Sequence, residues 1–129
     1  MKKFDNFKKA YANLSLCRKY NEPYDVVTET GLVNLFSICF EQSWKAMKEI
    51  LENHGYDEGK TGSPKMIMKL AYRAGMIKDE QAWLAMLDMR NTLAHSYNED
   101  VAFDVIKHTK DTYLNLFEKL IEEIEEKWI

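Results

Sequence analysis

Apolar side chains recur every three or four positions over most of this chain, which is the spacing of helices that bury one face. The first run predicts a helix that ends near Tyr20, because the proline of the segment 21–23 cannot continue it. A longer run, beginning after Thr28 or Thr30, predicts one helix of about seven turns. The apolar positions of the two runs are Phe4, Phe7, Ala10, Tyr11 and Leu14, then Leu32, Leu35, Phe36, Cys39, Phe40, Trp44, Met47, Ile50 and Leu51.

Glycine, serine and proline mark the boundaries in the middle of the chain. Residues 53–61 are polar, include two glycines and show no periodicity, so they are predicted to form the longest surface loop. Ser63 and Pro64 predict the start of a third helix, with serine as the N-cap and proline at the first helical position. Gly75 predicts its end, because glycine readily adopts the left-handed conformation of a helix C-cap.

The rest of the chain predicts two more helices. Asp79 is placed to cap the fourth, and the fifth is predicted from about Asp100. With 5 Gly and 2 Pro in 129 residues, the chain has too few turn residues for a β-sandwich or barrel. We therefore predict an all-α fold, an antiparallel up-and-down bundle of four to five helices, built as a single domain over residues 1–129.

Charge and composition restrict the function. The net charge is −3, and residues 65–129 hold 9 basic and 12 acidic side chains, so tight binding to a nucleic-acid duplex by this chain alone is not expected. Cys17 and Cys39 are isolated, which is typical of a reducing compartment. No apolar run reaches the roughly 18 residues of a membrane span, and no signal-peptide core follows the first residues. The expected location is the cytoplasm, without membrane association.

Most enzyme chemistries have no residues to support them. His54, His95 and His108 are far apart, and neither they nor the cysteines show metal-ligand spacing, so no metal site is predicted. No glycine-rich phosphate loop or nucleophile elbow is present, and no cofactor is predicted. Trp44 and Trp83 lie on apolar stripes and are interpreted as packing residues rather than ligand platforms.

One polar cluster remains, at the end of the fourth helix: Arg90, Asn91, His95 and Tyr97. A permanently charged guanidinium and an imidazole that titrates near neutral pH are sufficient to grip a phosphodiester and move a proton during its cleavage. In a continued helix His95 would point about 140° away from Arg90, whereas a helix ending near Ala94 would let the side chains converge. The alternative is structural: Arg90 pairs with a carboxylate, His95 caps the helix and Tyr97 packs.

Four blocks of sequence resemble the nucleotidyltransferase substrate-binding protein family, a branch of the HEPN superfamily. They are Phe-Glu-Gln-Ser-Trp-Lys at 40–45, Ser-Pro-Lys at 63–65, Ala-Gly-Met-Ile at 74–77, and the long run from Trp83 to Tyr97. The resemblance implies a helical bundle that forms homodimers, encoded beside a minimal nucleotidyltransferase that it binds. It also implies a ribonuclease site across the dimer, with Arg90 and His95 as catalytic residues, Asn91 beside them, and Tyr97 as the residue to which the nucleotidyltransferase attaches nucleotide.

Two hypotheses follow. In the first, the protein is the partner of a minimal nucleotidyltransferase in a toxin-antitoxin-like pair and cleaves RNA without a metal through the R-x-x-x-x-H-x-Y motif. In the second, it is a non-catalytic subunit that binds nucleotide or substrate for the nucleotidyltransferase, or a scaffold, and Arg90 and His95 hold a ligand phosphate or stabilise the dimer. The acidic balance favours the second slightly, because a free ribonuclease would profit from a basic groove.

Overall fold

Helices account for most of the chain in the computed structural model, which describes residues 1–129 and has no strand. The predicted all-α bundle is confirmed. The helices are α1 (Lys2–Ser15), α2 (Val26–Asn53), α3 (Pro64–Arg73), α4 (Glu80–His95), α5 (Glu99–His108) and α6 (Leu114–Lys127). Short 3₁₀ turns follow α1 and precede α3, and a π-helical turn joins α5 to α6, so that these two form one interrupted rod.

A continuous apolar core of 33 buried residues holds the helices together. The long helix α2 packs against α1, α3 and α5, and α6 packs against α1. Phe117 of α6 lies at the junction of three helices, since its ring contacts Phe7 of α1 and Trp83 of α4 edge-on at centroid distances of 5.8 and 5.7 Å. Trp83 is therefore a core residue, as predicted.

Side-chain caps explain where four of the helices begin, including α5, at which Asn98 accepts the Val101 N–H at 3.0 Å. Ser63 accepts a hydrogen bond from the backbone N–H of Met66, and Asp79 accepts one from Ala82, as the sequence predicted. The predicted start of α2 after Thr28 or Thr30 was wrong, because Asp25 accepts the Thr28 N–H at 2.7 Å and the helix already begins at Val26. The same hydrogen bond lowers the pKa of the Asp25 carboxyl.

The segment predicted as the longest loop is more ordered than expected. Residues Asp57–Thr61 form a 3₁₀ turn, and Gly59 in its centre is buried. A Cβ at Gly59 would meet the side chains of Leu70 and Ile67 at 3.7 and 3.8 Å. The segment does lie at the surface, as predicted, but it contains a 3₁₀ turn that packs on α2 and α3 through Gly59.

The last helix begins at Glu99, one residue before the prediction, and the sequence did not predict the π-helical turn Thr109–Tyr113 within it. This turn places two polar groups in the core. The Thr109 hydroxyl donates to the backbone carbonyl of Val105 at 2.7 Å, and the Tyr113 ring stacks on Phe36 at 5.3 Å. Burial raises the pKa of the Tyr113 phenol to about 12.

Candidate functional site

The predicted polar cluster straddles the C-terminal end of α4. Arg90 and Asn91 lie inside the helix, His95 is its last residue, and Ser96 leaves the helical conformation with φ of −145°. His95 follows Arg90 by five residues. Because both residues are helical, their side chains leave the helix about 140° apart. Within one chain His95 therefore does not converge with Arg90, whereas Tyr97, which follows the helix, does.

Arg90 and Tyr97 meet in a groove between α2 and α4, which we call the α2–α4 groove. Its volume is about 280 Å³. The wall from α2 is mainly polar, and the wall from the α4 end combines the guanidinium and the phenol with two apolar side chains. The lining residues are Thr30, Val33, Asn34 and Ser37 of α2, and Arg90, Leu93, Ala94 and Tyr97. The exposed His95 is not among them.

The guanidinium of Arg90 is held from three sides. Nη2 donates to Oε1 of Glu41 on α2, Nη1 donates to Oδ1 of Asn91 at 3.0 Å, and the ring of Phe40 lies 5.8 Å from Cζ. The Arg90 side chain is 31% exposed and that of Glu41 is 28% exposed. An arginine has five N–H donors, so three have no partner within the chain. The carboxylate pairing of the structural alternative is thus observed, and it leaves donors free.

Glu41 is in turn oriented by Trp44, one turn further along α2. The indole Nε1–H donates to Oε2 of Glu41 at 3.0 Å, so each carboxylate oxygen has its own donor. The sequence contained Glu41 only as part of the block at 40–45, and it predicted Trp44 to be a packing residue, which is partly buried against the core but also donates this hydrogen bond. Their spacing of three residues indicated a shared helix face, but only the fold shows that this face reaches Arg90, 49 positions away.

The other predicted site residues are accessible. Tyr97 is 52% exposed, and neither its hydroxyl nor the imidazole of His95 has a hydrogen-bond partner within the chain. The resemblance placed Asn91 beside the two catalytic residues. In the structure its side-chain oxygen Oδ1 accepts a hydrogen bond from Arg90.

The remaining nucleophiles and imidazoles are committed to structure. Both cysteines are buried, and burial raises the pKa of each thiol. His54 contacts the carbonyl of Trp128 at 2.8 Å, and His108 contacts that of Asp104 at 2.7 Å. No three His, Cys, Asp or Glu side chains are grouped so that they could hold a metal ion. None of the helices combines the length and apolar character that crossing a membrane requires.

Comparison with known proteins places this arrangement in a family. Residues 2–126 match the family described as nucleotidyltransferase substrate binding protein like. The chain belongs to this family. It is also 32% identical over 83 residues to a protein of Haemophilus influenzae named probable ribonuclease HepT. That alignment covers 63% of the chain and 57% of the relative, so the chain matches little more than half of that protein's length.

Two solved structures share the whole fold. A crystal structure of a protein from Thermus thermophilus has a TM-score of 0.78 and 28% identity, and the match covers 93% of this chain and 99% of that one. The protein HI0074 of Haemophilus influenzae also has a TM-score of 0.78, with 25% identity and coverage of 95% and 99%. Its structure is described as revealing the fold of a substrate-binding domain of a nucleotidyltransferase.

Proposed function

We propose that this protein is the HEPN-type partner of a minimal nucleotidyltransferase encoded nearby, in a toxin-antitoxin-like pair, and that it cleaves RNA in the cytoplasm without a metal. The whole chain of 129 residues acts as one domain in this proposal. The observation that carries it is Arg90, whose guanidinium is held in place beside Tyr97 and keeps three N–H donors for an anion. The name of the Haemophilus relative, a probable ribonuclease, supports the choice of RNA as substrate.

The chemistry needs a charge acceptor and a proton carrier. The 2′-hydroxyl of RNA attacks the adjacent phosphorus and the bond to the 5′-oxygen breaks, which leaves a 2′,3′-cyclic phosphate and a free 5′-hydroxyl. Arg90 stabilises the charge that develops on the pentacoordinate phosphorus, and an imidazole accepts the proton of the 2′-hydroxyl. A second, protonated imidazole returns a proton to the departing 5′-oxygen. Asn91 keeps Arg90 in place for this step.

A homodimer would provide both imidazoles. Within one chain His95 points away from Arg90, so a second copy must approach the end of α4 to complete the site. Large hydrophobic side chains on α2 and after α4 are exposed as such an interface requires: Val27 is 83% and Ile38 44% exposed on α2, and Tyr97, which lines the α2–α4 groove, is 52% exposed. In the proposed dimer the two polar clusters lie side by side and each supplies one His95.

Tyr97 is the proposed point of control. Its exposed phenol shares the α2–α4 groove with Arg90, so a nucleotide attached there by the nucleotidyltransferase would put a negative phosphate next to the guanidinium. That phosphate would occupy the N–H donors that RNA needs. The partner would then silence the ribonuclease by covalent modification of one residue.

The test uses the purified protein without its partner, incubated with RNA in EDTA. We expect cleavage products that end in 2′,3′-cyclic phosphate, and no cleavage by His95→Ala. Intact RNA with the wild-type protein, or cleavage that persists in His95→Ala, contradicts the proposal. Light scattering tests the dimer, and a strict monomer rules out the composite site.

A second candidate is a non-catalytic subunit that binds nucleotide or substrate for the nucleotidyltransferase. It is favoured by the description of the HI0074 structure and by the net charge of −3. Here Arg90 and Tyr97 would hold a ligand phosphate without cleavage. Calorimetry with nucleoside triphosphates separates the two: binding by the wild type that is lost in Arg90→Ala, together with intact RNA, would support this candidate.

A further inference from the structure

We propose that Glu41 is the positioning residue for Arg90, with Trp44 as the residue that holds Glu41. This inference rests on the proposed function for its effect on RNA cleavage, but the geometry that it invokes is independent of it. The carboxylate has two donors on opposite oxygens, the Arg90 Nη2–H and the Trp44 Nε1–H.

The arrangement restricts the guanidinium in a way that an isolated ion pair would not. A single carboxylate contact allows rotation about the line that joins the two groups, whereas Asn91 holds the second Nη atom at 3.0 Å and the Phe40 ring faces Cζ at 5.8 Å. Three contacts define the plane of the guanidinium. The directions of the remaining N–H donors are therefore fixed before a ligand binds, so less reorganisation of the guanidinium is needed during catalysis.

Glu41 also has an electrostatic cost. Its charge neutralises Arg90 locally and repels an incoming phosphate, so it weakens the binding of RNA while it keeps the guanidinium aligned for the reaction. The two effects act on different kinetic constants. Alignment raises kcat, whereas repulsion raises KM.

This separation predicts the kinetics of Glu41→Ala. The Arg90 side chain loses its α2 contact, so kcat falls on the order of ten- to a hundred-fold. KM falls as well, several-fold, because the repelling charge is gone. If Glu41 were purely structural, Glu41→Ala would lower the thermal midpoint and the active fraction but leave KM unchanged. If Glu41 were inhibitory, its removal would raise kcat. Either result overturns the proposal.

A conservative pair of variants separates alignment from charge. In Glu41→Gln the new amide NH₂ would face the Trp44 indole N–H, so two donors would meet. Trp44→Phe removes that donor, and the double variant Glu41→Gln/Trp44→Phe keeps a neutral oxygen acceptor for Arg90. Compared with Trp44→Phe alone, we expect kcat within about three-fold and a lower KM. A loss of kcat as large as that of Glu41→Ala contradicts a positioning role.

A spectroscopic measurement decides the geometry without any activity. Nitrogen-15 NMR of the arginine side chains, with Arg90→Lys for assignment, should show restricted rotation of the Arg90 Nη groups in the wild type and averaged signals in Glu41→Ala. Averaged signals in the wild type would refute the positioning role even if RNA is cleaved. If the wild type cleaves no RNA but its Arg90 signals are restricted, the proposed function fails and the positioning of Arg90 stands.

Discussion

The two halves of α4 differ in almost every physical respect. In the first half Trp83 and Met86 are at most 2% exposed, and Trp83 packs on Phe117. In the second half Asn91 and His95 are exposed, and Arg90 has two polar partners, Glu41 and Asn91. One helix thus anchors itself in the core at one end and presents polar groups at the other.

This difference shows which residues of α4 contribute to the stability of the fold and which are available for chemistry. Residues in the first half contribute through apolar area removed from water, so their replacement should affect folding. In the second half Leu93 is also part of the core, but the polar residues Asn91 and His95 are exposed, so their replacement should affect ligands and spare the fold. The predictions below test this division, from the largest expected effect to the smallest.

Trp83→Ala should destabilise the fold by about 3–5 kcal/mol, because it removes a buried ring between α4 and α6 and leaves a cavity. Chemical denaturation measures the free energy of unfolding. The exposed Gln81 on the same helix is the control, since Gln81→Ala should change that energy by less than about 0.5 kcal/mol. Equal effects of the two variants would show that this half of α4 does not anchor the bundle.

His95→Ala should reduce RNA cleavage by about a hundred-fold or more, as expected for the loss of a general acid-base group. Its unfolding free energy should stay within about 0.5 kcal/mol of the wild type, because His95 is exposed and has no hydrogen-bond partner in the chain. Initial rates and denaturation curves are measured on the same preparation. A large loss of stability in His95→Ala would show that the second half of α4 also stabilises the fold.

Gly75→Ala should destabilise the fold by about 1–2 kcal/mol, because Gly75 has φ of +84° after α3, a conformation that an L side chain strains. Gly31→Ala is the matched control. Gly31 lies within α2, and an added Cβ meets nothing within 4 Å, so alanine there should stabilise the helix by about 0.5–1 kcal/mol. Thermal unfolding of both variants would show shifts of opposite sign.

Tyr97→Phe should leave RNA cleavage near the wild-type rate, because the proposed chemistry uses Arg90 and His95. It should abolish nucleotide transfer by the partner, since the phenol oxygen is the acceptor. Intact-mass spectrometry after incubation with the nucleotidyltransferase and nucleoside triphosphates measures the transfer. Modification that persists in Tyr97→Phe would move the control point to another residue.

Asp25→Asn should produce the smallest change in the stability of the fold, and the size of that change should depend on pH. The folded-state pKa of Asp25 is lowered by its hydrogen bonds to the first turn of α2, so the charged cap adds stability above the unfolded-state pKa of about 3.9. That contribution disappears as pH falls through the lower folded value. Asparagine caps without titrating, so the unfolding midpoints of variant and wild type should converge in acid. A constant difference at all pH values contradicts this.

The sequence was sufficient for local features. The three- and four-residue spacing predicted the helices, and Ser63, Asp79 and Gly75 predicted helix ends, because capping and left-handed glycine act within one turn. The start of α2 was missed because Asp25 caps the helix before its apolar stripe begins. The sequence also grouped Arg90 with its neighbours on α4.

Only the tertiary structure decided how that group is arranged. The pairing of Arg90 with Glu41 joins side chains 49 positions apart, and the π-helical turn at Thr109–Tyr113 was not predicted from the apolar spacing. The α2–α4 groove is lined by residues of α2 and of the α4 end, and the periodicity of neither helix encodes that they face each other. Local hydrogen bonds act within a few residues and can be read along the chain, whereas the contacts that orient Arg90 arise only when helices distant in sequence share one core.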